Sequence, residues 1–340
     1  MLSLSKAEKS YIQAGLLASP SSRADGRALL DFRSVALETG VAPLANGSAR
    51  LSIGRNPHDG GGGTEVVAAT KLEVESVDED GQGKDGGRIV CTVACSPSAY
   101  PHLSSSALDD IQADLTSLLH QTISHSSLHP SNLTILKSKK SWLLNLDVLV
   151  LSDAGNILDA LFMASRAALW DTRVPRTRGV EYKAPTRKDT GKDKEDMNVD
   201  EDEHENAQKQ SGFDTRVLPK ATDFELPDYW DEGEVLDGRE RWPVAITLNI
   251  ESPTHFLDAT AQEEAASPLK LLLAFSFHDG QPAVLQGMRM LGPGELTPSH
   301  LKELVGENYA RELFVALNAK LKDEDVRRTQ KARERFELHR

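Results

Sequence analysis

The stretch DVLVLSDAGNILDALFMASRAAL, residues 147–169, holds the residues best spaced for chemistry. An apolar run meets a small turn at Gly155, Asn156 follows, and an apolar helical pattern begins at Ile157. Strand, glycine turn and helix start bring free backbone N–H groups and the positive end of a helix to one point, which is how a chain cradles an anion such as phosphate. Two other glycine clusters do not fit that role. RNPHDGGGG (55–63) has no Lys-Ser/Thr after its glycines and leads into no helix. GQGKDGG (81–87) lacks a Ser/Thr after Lys84 and runs into a strand. Neither is a phosphate loop, which argues against a small-molecule kinase.

The remaining reactive side chains point elsewhere. The chain has two cysteines, Cys91 and Cys95, too few for a disulfide framework or a four-ligand zinc site. At i,i+4 in an alternating strand they share a face and read as small buried hydrophobes in a reducing compartment. No metal site and no cofactor are expected. A net charge of −13 argues against broad coating of nucleic acid, though not against RNA passing a small patch. KSKKS (137–141), with Lys137, Lys139 and Lys140, is a short basic loop that could touch RNA or a partner but reads first as solvated.

These residues need a scaffold. The 340 residues suffice for two domains or one large one, and 39% hydrophobic with 5% aromatic residues implies an aliphatic core. The first residues carry early charges and no long apolar region, unlike a secretory signal, and no apolar run approaches a membrane span. Ser5 and Glu8 form a capping box for a helix over 5–18, with Tyr11, Ile12 and Leu16 on its apolar face. Alternating segments at 47–54, 64–75 and 88–95 read as strands. An amphipathic helix follows over 106–123, then strands in LTIL and WLLNLDVLVL, then the helix 157–170, apolar on most sides and so expected within the core. Residues 184–211 hold a dense acidic run with almost no apolar residues and read as a disordered insertion. Order resumes with a strand at 242–250. A capping box at Thr260 and Glu263 starts a helix, and Asp279-Gly280 turns a hairpin. Thr297-Pro298 starts a final helix ending near 320, before a charged tail over 323–340. Leu158-Asp159-Ala160 is echoed by Leu257-Asp258-Ala259 after a similar strand and turn, which suggests a duplicated α+β unit.

Several motifs, in order, carry a resemblance. SRADGRALLDFRSVALETG (22–40), NGSARLSIG (46–54), TEVVAATKLEV (64–74), LDVLVLSDAGNILDALFMASRAALWDTRVP (146–175) and HFLDATAQEEA (255–265) resemble the RNase PH family, the last its non-catalytic branch. The resemblance implies an α+β fold of two related βαβα-type halves, of the ribosomal protein S5 domain 2-like kind. The expected parts are an N-terminal helix and anchoring segment (1–28), a first domain (29–183), the insertion (184–211) and a C-terminal domain (212–322). It also implies a place in the six-membered ring of the RNA exosome core, in nucleus, nucleolus and cytoplasm. Implied partners are other RNase PH-like subunits, S1/KH-type cap proteins, docked nucleases and RNA threaded through the pore.

Active members of that family carry Gly-Thr/Ser-Arg at the helix start and two aspartates six residues apart in the second half. The matching residues here are Gly155, Asn156 and Ile157, then Ser252 and Asp258. Losing the guanidinium removes a charge-assisted hydrogen bond worth about 1.5–3 kcal/mol. A lone carboxylate is poorly equipped to share acid and base roles or to clamp a divalent ion. Asn156 is therefore expected to cap its helix and Asp258 to cap or brace the next one. Where related ring subunits place arginines on the helix at 106–123, this chain has Ala113, Ser117 and His120; His120 could donate to a phosphate but reads first as a partly buried helical histidine. Arg23, Asp25 and Arg27 read on their own as a surface turn with local ion pairs; the resemblance makes them an anchor to a neighbouring subunit. The expectation is a catalytically silent subunit. The alternatives are an active phosphorolytic exoribonuclease of the same fold and a ring-independent adaptor.

Overall fold

A computed structural model describes residues 4–54, 63–76, 86–137, 139–180, 223–226, 233–278, 282–296 and 306–338. The acidic run at 184–211, the Thr297-Pro298 cap and the Asp279-Gly280 turn lie outside these residues. The chain forms two compact units, Met1–Val174 with Glu232–Arg340, and Pro175–Asp231. Both related halves thus belong to one unit.

In chain order the elements are α1 (Lys6–Leu17), β1 (Val35–Thr39), β2 (Gly47–Ile53), β3 (Thr64–Ser76), β4 (Arg88–Cys95), α2 (Ser105–Ile123), β5 (Thr134–Leu136), β6 (Lys140–Ser152) and α3 (Ile157–Asp171). They continue with β7 (Arg173–Val174), β8 (Arg178–Val180), β9 (Asp223–Glu225), β10 (Glu234–Val235), β11 (Val244–Glu251), β12 (Thr254–Phe256), α4 (Ala261–Ala266), β13 (Lys270–Ser276), β14 (Val284–Leu291) and α5 (Glu307–Leu338). The first sheet runs β1-β2-β3-β6-β4, with β5 also on β6, and its one parallel pair is β4 with β6. The second runs β12-β11-β13-β14, all antiparallel. Within the smaller unit, β8 and β9 pair antiparallel.

Helix α3 joins the two sheets. Every residue from Leu158 to Asp171 is buried. One side packs on β2 and β3, another on β11, as a helix apolar all round requires. The capping boxes at Ser5/Glu8 and Thr260/Glu263 both form. On α1, Ile12 and Leu16 pack against Phe256, Ala259 and Leu29, whereas Tyr11 points to solvent. Cys91 and Cys95 are buried on one face of β4, and burial pushes their thiols up, to about 12 and about 11.

Helix α2 has a structural duty that its apolar periodicity hides. Strand β4 lies at the sheet edge, so alternate amides have no strand partner. Gln112 Oε1, Thr116 Oγ1 and His120 Nδ1, one helical turn apart, accept from Cys95 N–H (2.9 Å), Val93 N–H (3.0 Å) and Cys91 N–H (3.3 Å). The last helix does not stop near 320 but continues to Leu338. The charged segment is rich in Lys, Arg and Glu, which favour helix. It is paired along its own face by Lys320–Glu324 and Arg327–Glu324. It is also tied to the end of α3: Arg328 reaches Asp171 at 2.5 Å, and Trp170 Nε1 donates to Asp325 at 3.0 Å.

Candidate functional site

The turn between β6 and α3 has the geometry expected of an anion cradle. Gly155 sits at φ +98° and Asn156, the residue before α3, at φ +60°. The glycine is required: a Cβ there would lie 2.4 Å from Ala259 O and 2.6 Å from Ala261 N. The second half of the chain is therefore pressed against the turn, and Ala261 N–H donates to Ala154 O at 2.9 Å.

The turn amides are all occupied. Ala154 N–H donates to Thr64 Oγ1 (3.0 Å), Gly155 N–H to Asp153 Oδ1 (2.9 Å) and Asn156 N–H to Glu264 Oε1 (2.8 Å). The carbonyls are taken too, Ala154 O and Gly155 O accepting from the Arg33 guanidinium at 3.1 and 3.0 Å. The positive end of α3 thus meets carboxylates supplied by the chain itself. Asn156 makes no side-chain cap, contrary to expectation. In its left-handed conformation its amide points to the second half instead, and Nδ2 donates to Asp258 Oδ1 at 3.0 Å.

Asp258 is the hub of the site. It is buried, at φ +45°, a conformation rare for an L residue and costing about 1–3 kcal/mol when imposed. Oδ2 accepts from Arg33 N–H (2.6 Å), Arg33 Nε (2.9 Å) and Arg27 Nη1 (2.9 Å), and Oδ1 from Arg33 Nη2 (2.7 Å) and Asn156. Burial alone would raise its pKa, but the hydrogen bonds and charges of Arg33 and Arg27 outweigh it and hold the carboxyl below its ordinary value. Neither part of the expectation holds as stated: Thr260 caps α4, and the Asp258 carboxylate bonds Arg27, Arg33 and Asn156 rather than the helix that follows it. Ser252 lies in the exposed turn between β11 and β12, apart from this buried cluster.

The N-terminal residues need a larger correction. Arg23 is no surface residue: it is 4% exposed. Its Nε and Nη2 donate to the two oxygens of Glu263 at 2.8 and 2.7 Å, and it also bonds Leu257 O and Asp258 O. Arg27 bridges Asp25 and Asp258. Arg23 and Arg27 anchor the segment to the second half of their own chain, because a buried guanidinium needs a carboxylate and Glu263 and Asp258 supply them. Asp25 stays partly exposed and bonded to Arg27.

The remaining candidates stand apart from the turn. His120 is committed through Nδ1 to the β4 edge, and Ala113 and Ser117 face outward on α2. Lys137 and Lys139 are exposed and Lys140 half-buried. Lys140 starts β6 and Ser152 ends it, so the basic loop lies about 40 Å along the strand from the turn at ~3.3 Å per residue. Sequence reasoning gave no role to Arg33, Asp153, Thr64 or Glu264. Arg33 had a signal, since it ends the Asp-Phe-Arg step of the resemblance.

A further buried group lies one turn into α3. Asp159 Oδ1 accepts from Thr247 Oγ1 of β11 at 2.6 Å. Its Oδ2 and Asn156 Oδ1 have no hydrogen-bond partner. Burial, and the nearby charge of Asp258, push Asp159 up to about 7. A cavity of about 740 Å³ opens beside the turn, lined among others by Lys9, Asp153, Ile157, Glu264 and Lys270. Among the described residues no cluster of three or more His, Cys, Asp or Glu could hold a metal ion.

Comparison with known proteins places this geometry. The fold matches a chain of the Archaeoglobus fulgidus exosome with RNA bound to the active site, at TM-score 0.62 and 22% identity, over 90% of this chain and 96% of that one. Residues 31–175 match the 3′ exoribonuclease family, domain 1 (RNase PH). Residues 31–175 are thus an RNase PH domain. It is similar to the exosome complex component Rrp42 of Thermoplasma volcanium, 31% identical over 185 residues, spanning 54% of this chain and 66% of that protein. It is also similar to a Dictyostelium discoideum protein of the RRP42 name, 28% identical over 227 residues, 53% of this chain and 67% of that protein. The chain thus spans about two thirds of the length of both.

Proposed function

We propose that the protein is a catalytically silent ring subunit of an RNA exosome core. It supports 3′-to-5′ RNA processing and degradation, including ribosomal RNA maturation and messenger RNA turnover, through architecture. The relatives named above support the assembly and the RNA pathway. The observation that carries the silence is the state of Asp258: both carboxylate oxygens are committed to Arg27, Arg33 and Asn156. A general acid or base must exchange a proton with substrate, and a carboxylate held as an ion between two guanidinium groups has no oxygen to spare. The partners are unlike RNase PH-like subunits, S1/KH-type cap proteins, docked nucleases and RNA in the pore. The proposed location is nucleus and nucleolus, with a cytoplasmic pool.

The test is direct. The purified protein, given RNA, magnesium and inorganic phosphate, releases no nucleoside diphosphates, and native mass spectrometry of the complex captured through it shows one copy among related, non-identical chains. Robust phosphorolysis lost on Asp258→Asn would establish the active-enzyme reading instead. A stable monomer with no such partners would establish the adaptor.

A further inference from the structure

The cavity of about 740 Å³ is walled mainly by apolar side chains that the core does not use up. Its lining comes from α1, the loop before α2, α2, the start of α3, α4 and the ends of β13 and β14. Leu103, Ile111, Ile157 and Leu291 line it and are only half-buried, and Leu115 joins them. A single exposed leucine needs no explanation. Several converging on one concave space do, because pockets of roughly 300–1,000 Å³ are what small molecules fill. Charge alone would hold nothing there, since Lys9 and Lys270 are offset by Asp153 and Glu264. Most of these charges are also engaged within the chain. Asp153 accepts from Gly155 N–H at 2.9 Å and from the Tyr100 hydroxyl at 2.7 Å. Glu264 Oε1 meets Asn156 N–H and Lys270 Nζ, both at 2.8 Å. The Lys9 ammonium, exposed on α1, has no carboxylate partner among the described residues.

We propose that this cavity is a binding site for a small amphiphilic carboxylate, whose aliphatic body lies against Leu103, Ile111, Leu115, Ile157 and Leu291 and whose single negative charge meets Lys9. Burial of the body supplies the affinity, and the ion pair at Lys9 sets the orientation. Both parts of the lining select the ligand. A small multiply charged anion would give up water for apolar walls and find no net positive charge to repay it. An uncharged molecule of the same body would fit the walls and leave Lys9 without an acceptor. The inference goes beyond the architectural role and stands apart from it.

Decanoate, kept below its micelle concentration, is the probe, with decanol as its uncharged counterpart and inorganic phosphate as a charge without a body. Isothermal titration calorimetry uses the full chain, with partner subunits present where assembly needs them. One saturable decanoate site is expected. Decanol should bind about two- to fivefold more weakly, the worth of one exposed ion pair, and phosphate should not displace decanoate. Lys9→Met should bring decanoate down to the affinity of decanol and leave decanol unchanged. Ala265→Phe puts a ring into the cavity from a half-buried position on α4 and should weaken both ligands at least tenfold. Methyl-labelled NMR of the wild type keeps the test open if that variant does not fold. The methyls of Ile111 and Ile157 should shift to saturation with decanoate, while that of Ile246, in the separate core of the second sheet, should not. The proposal is overturned if decanoate gives no saturable heat or shift, if a folded Ala265→Phe protein binds it as tightly as the wild type, if the shifts fall away from the cavity, or if phosphate displaces it. Equal losses of decanoate and decanol binding in Lys9→Met would overturn the place given to the charge.

Discussion

Asp258 and Asp159 are two buried aspartates with opposite electrostatics. Asp258 is held ionised by Arg33 and Arg27. Asp258→Asn leaves both guanidinium groups without their carboxylate in a largely buried place, and breaking such a network costs about 3–5 kcal/mol. The expected result is a fall of that size in unfolding free energy by urea titration, with a similar loss for Arg33→Met. Asp159 is fully buried beside the like charge of Asp258, and these outweigh its hydrogen bond from Thr247 and push its carboxyl up to about 7 from an ordinary 3.8. The folded state then binds one more proton than the unfolded state between these values. Stability from this group is full at acid pH, falls as pH rises from about 4 to about 7, and stays low above that. Asp159→Asn is neutral throughout, and its amide can donate to the unpartnered Asn156 Oδ1. The variant should therefore gain on the wild type as pH rises from 5 to 8, read as urea midpoints at both pH values. A difference that shrinks with rising pH would contradict the assignment.

At the scale of elements, local rules worked wherever both parts of a feature lie close in sequence. Both capping boxes, the strands β2, β3 and β4, and the enclosed position of α3 follow from spacings of two to four residues. The occupants of the Gly155 turn were not legible in the same way, because they come from far along the chain. Arg33 lies 122 residues before Gly155, and Glu264 lies 108 after Asn156. Periodicity carries no information about such pairs. The polar stripe Gln112, Thr116, His120 was legible in spacing but not in purpose, since its purpose depends on β4 being an edge strand. The turn itself gives a sharp prediction. Gly155→Ala combines a φ of +98° with a Cβ 2.4 Å from Ala259 O, and the opposing atoms are backbone that is slow to yield. A left-handed conformation alone costs about 1–2 kcal/mol for a non-glycine residue. The loss should exceed that, seen as a lower melting temperature. A variant melting within a degree of the wild type would mean that residues 259–261 can withdraw from the turn.

The whole larger unit is held together across its halves by the N-terminal segment as well as by α3. Arg23 spans from the segment to Glu263 and to the carbonyls of residues 257 and 258, Arg27 reaches Asp258, and Leu16 packs against Phe256 and Ala259. That makes the segment an internal clamp, and it changes what truncation should do. If residues 1–27 served only to grip a neighbouring subunit, their removal would leave the chain's own stability intact and weaken assembly alone. In the observed arrangement removal uncovers Phe256, leaves Glu263 buried without its arginine, and deprives Asp258 of one of its two. An uncompensated buried charge of that kind costs about 3–5 kcal/mol, a large fraction of the 5–15 kcal/mol that stabilises a typical domain. The truncated chain should therefore unfold at markedly lower urea than the full chain when each is studied alone. Co-expression with an RNase PH-like partner should recover part of that loss by mass action, because a partner that binds only the folded form stabilises it. Arg23→Met within the full chain separates the clamp from the rest of the segment, and it should reproduce most of the truncation's effect on stability. Unchanged urea midpoints for both the truncated chain and Arg23→Met, with only assembly impaired in analytical ultracentrifugation, would return the segment to a role at the subunit interface.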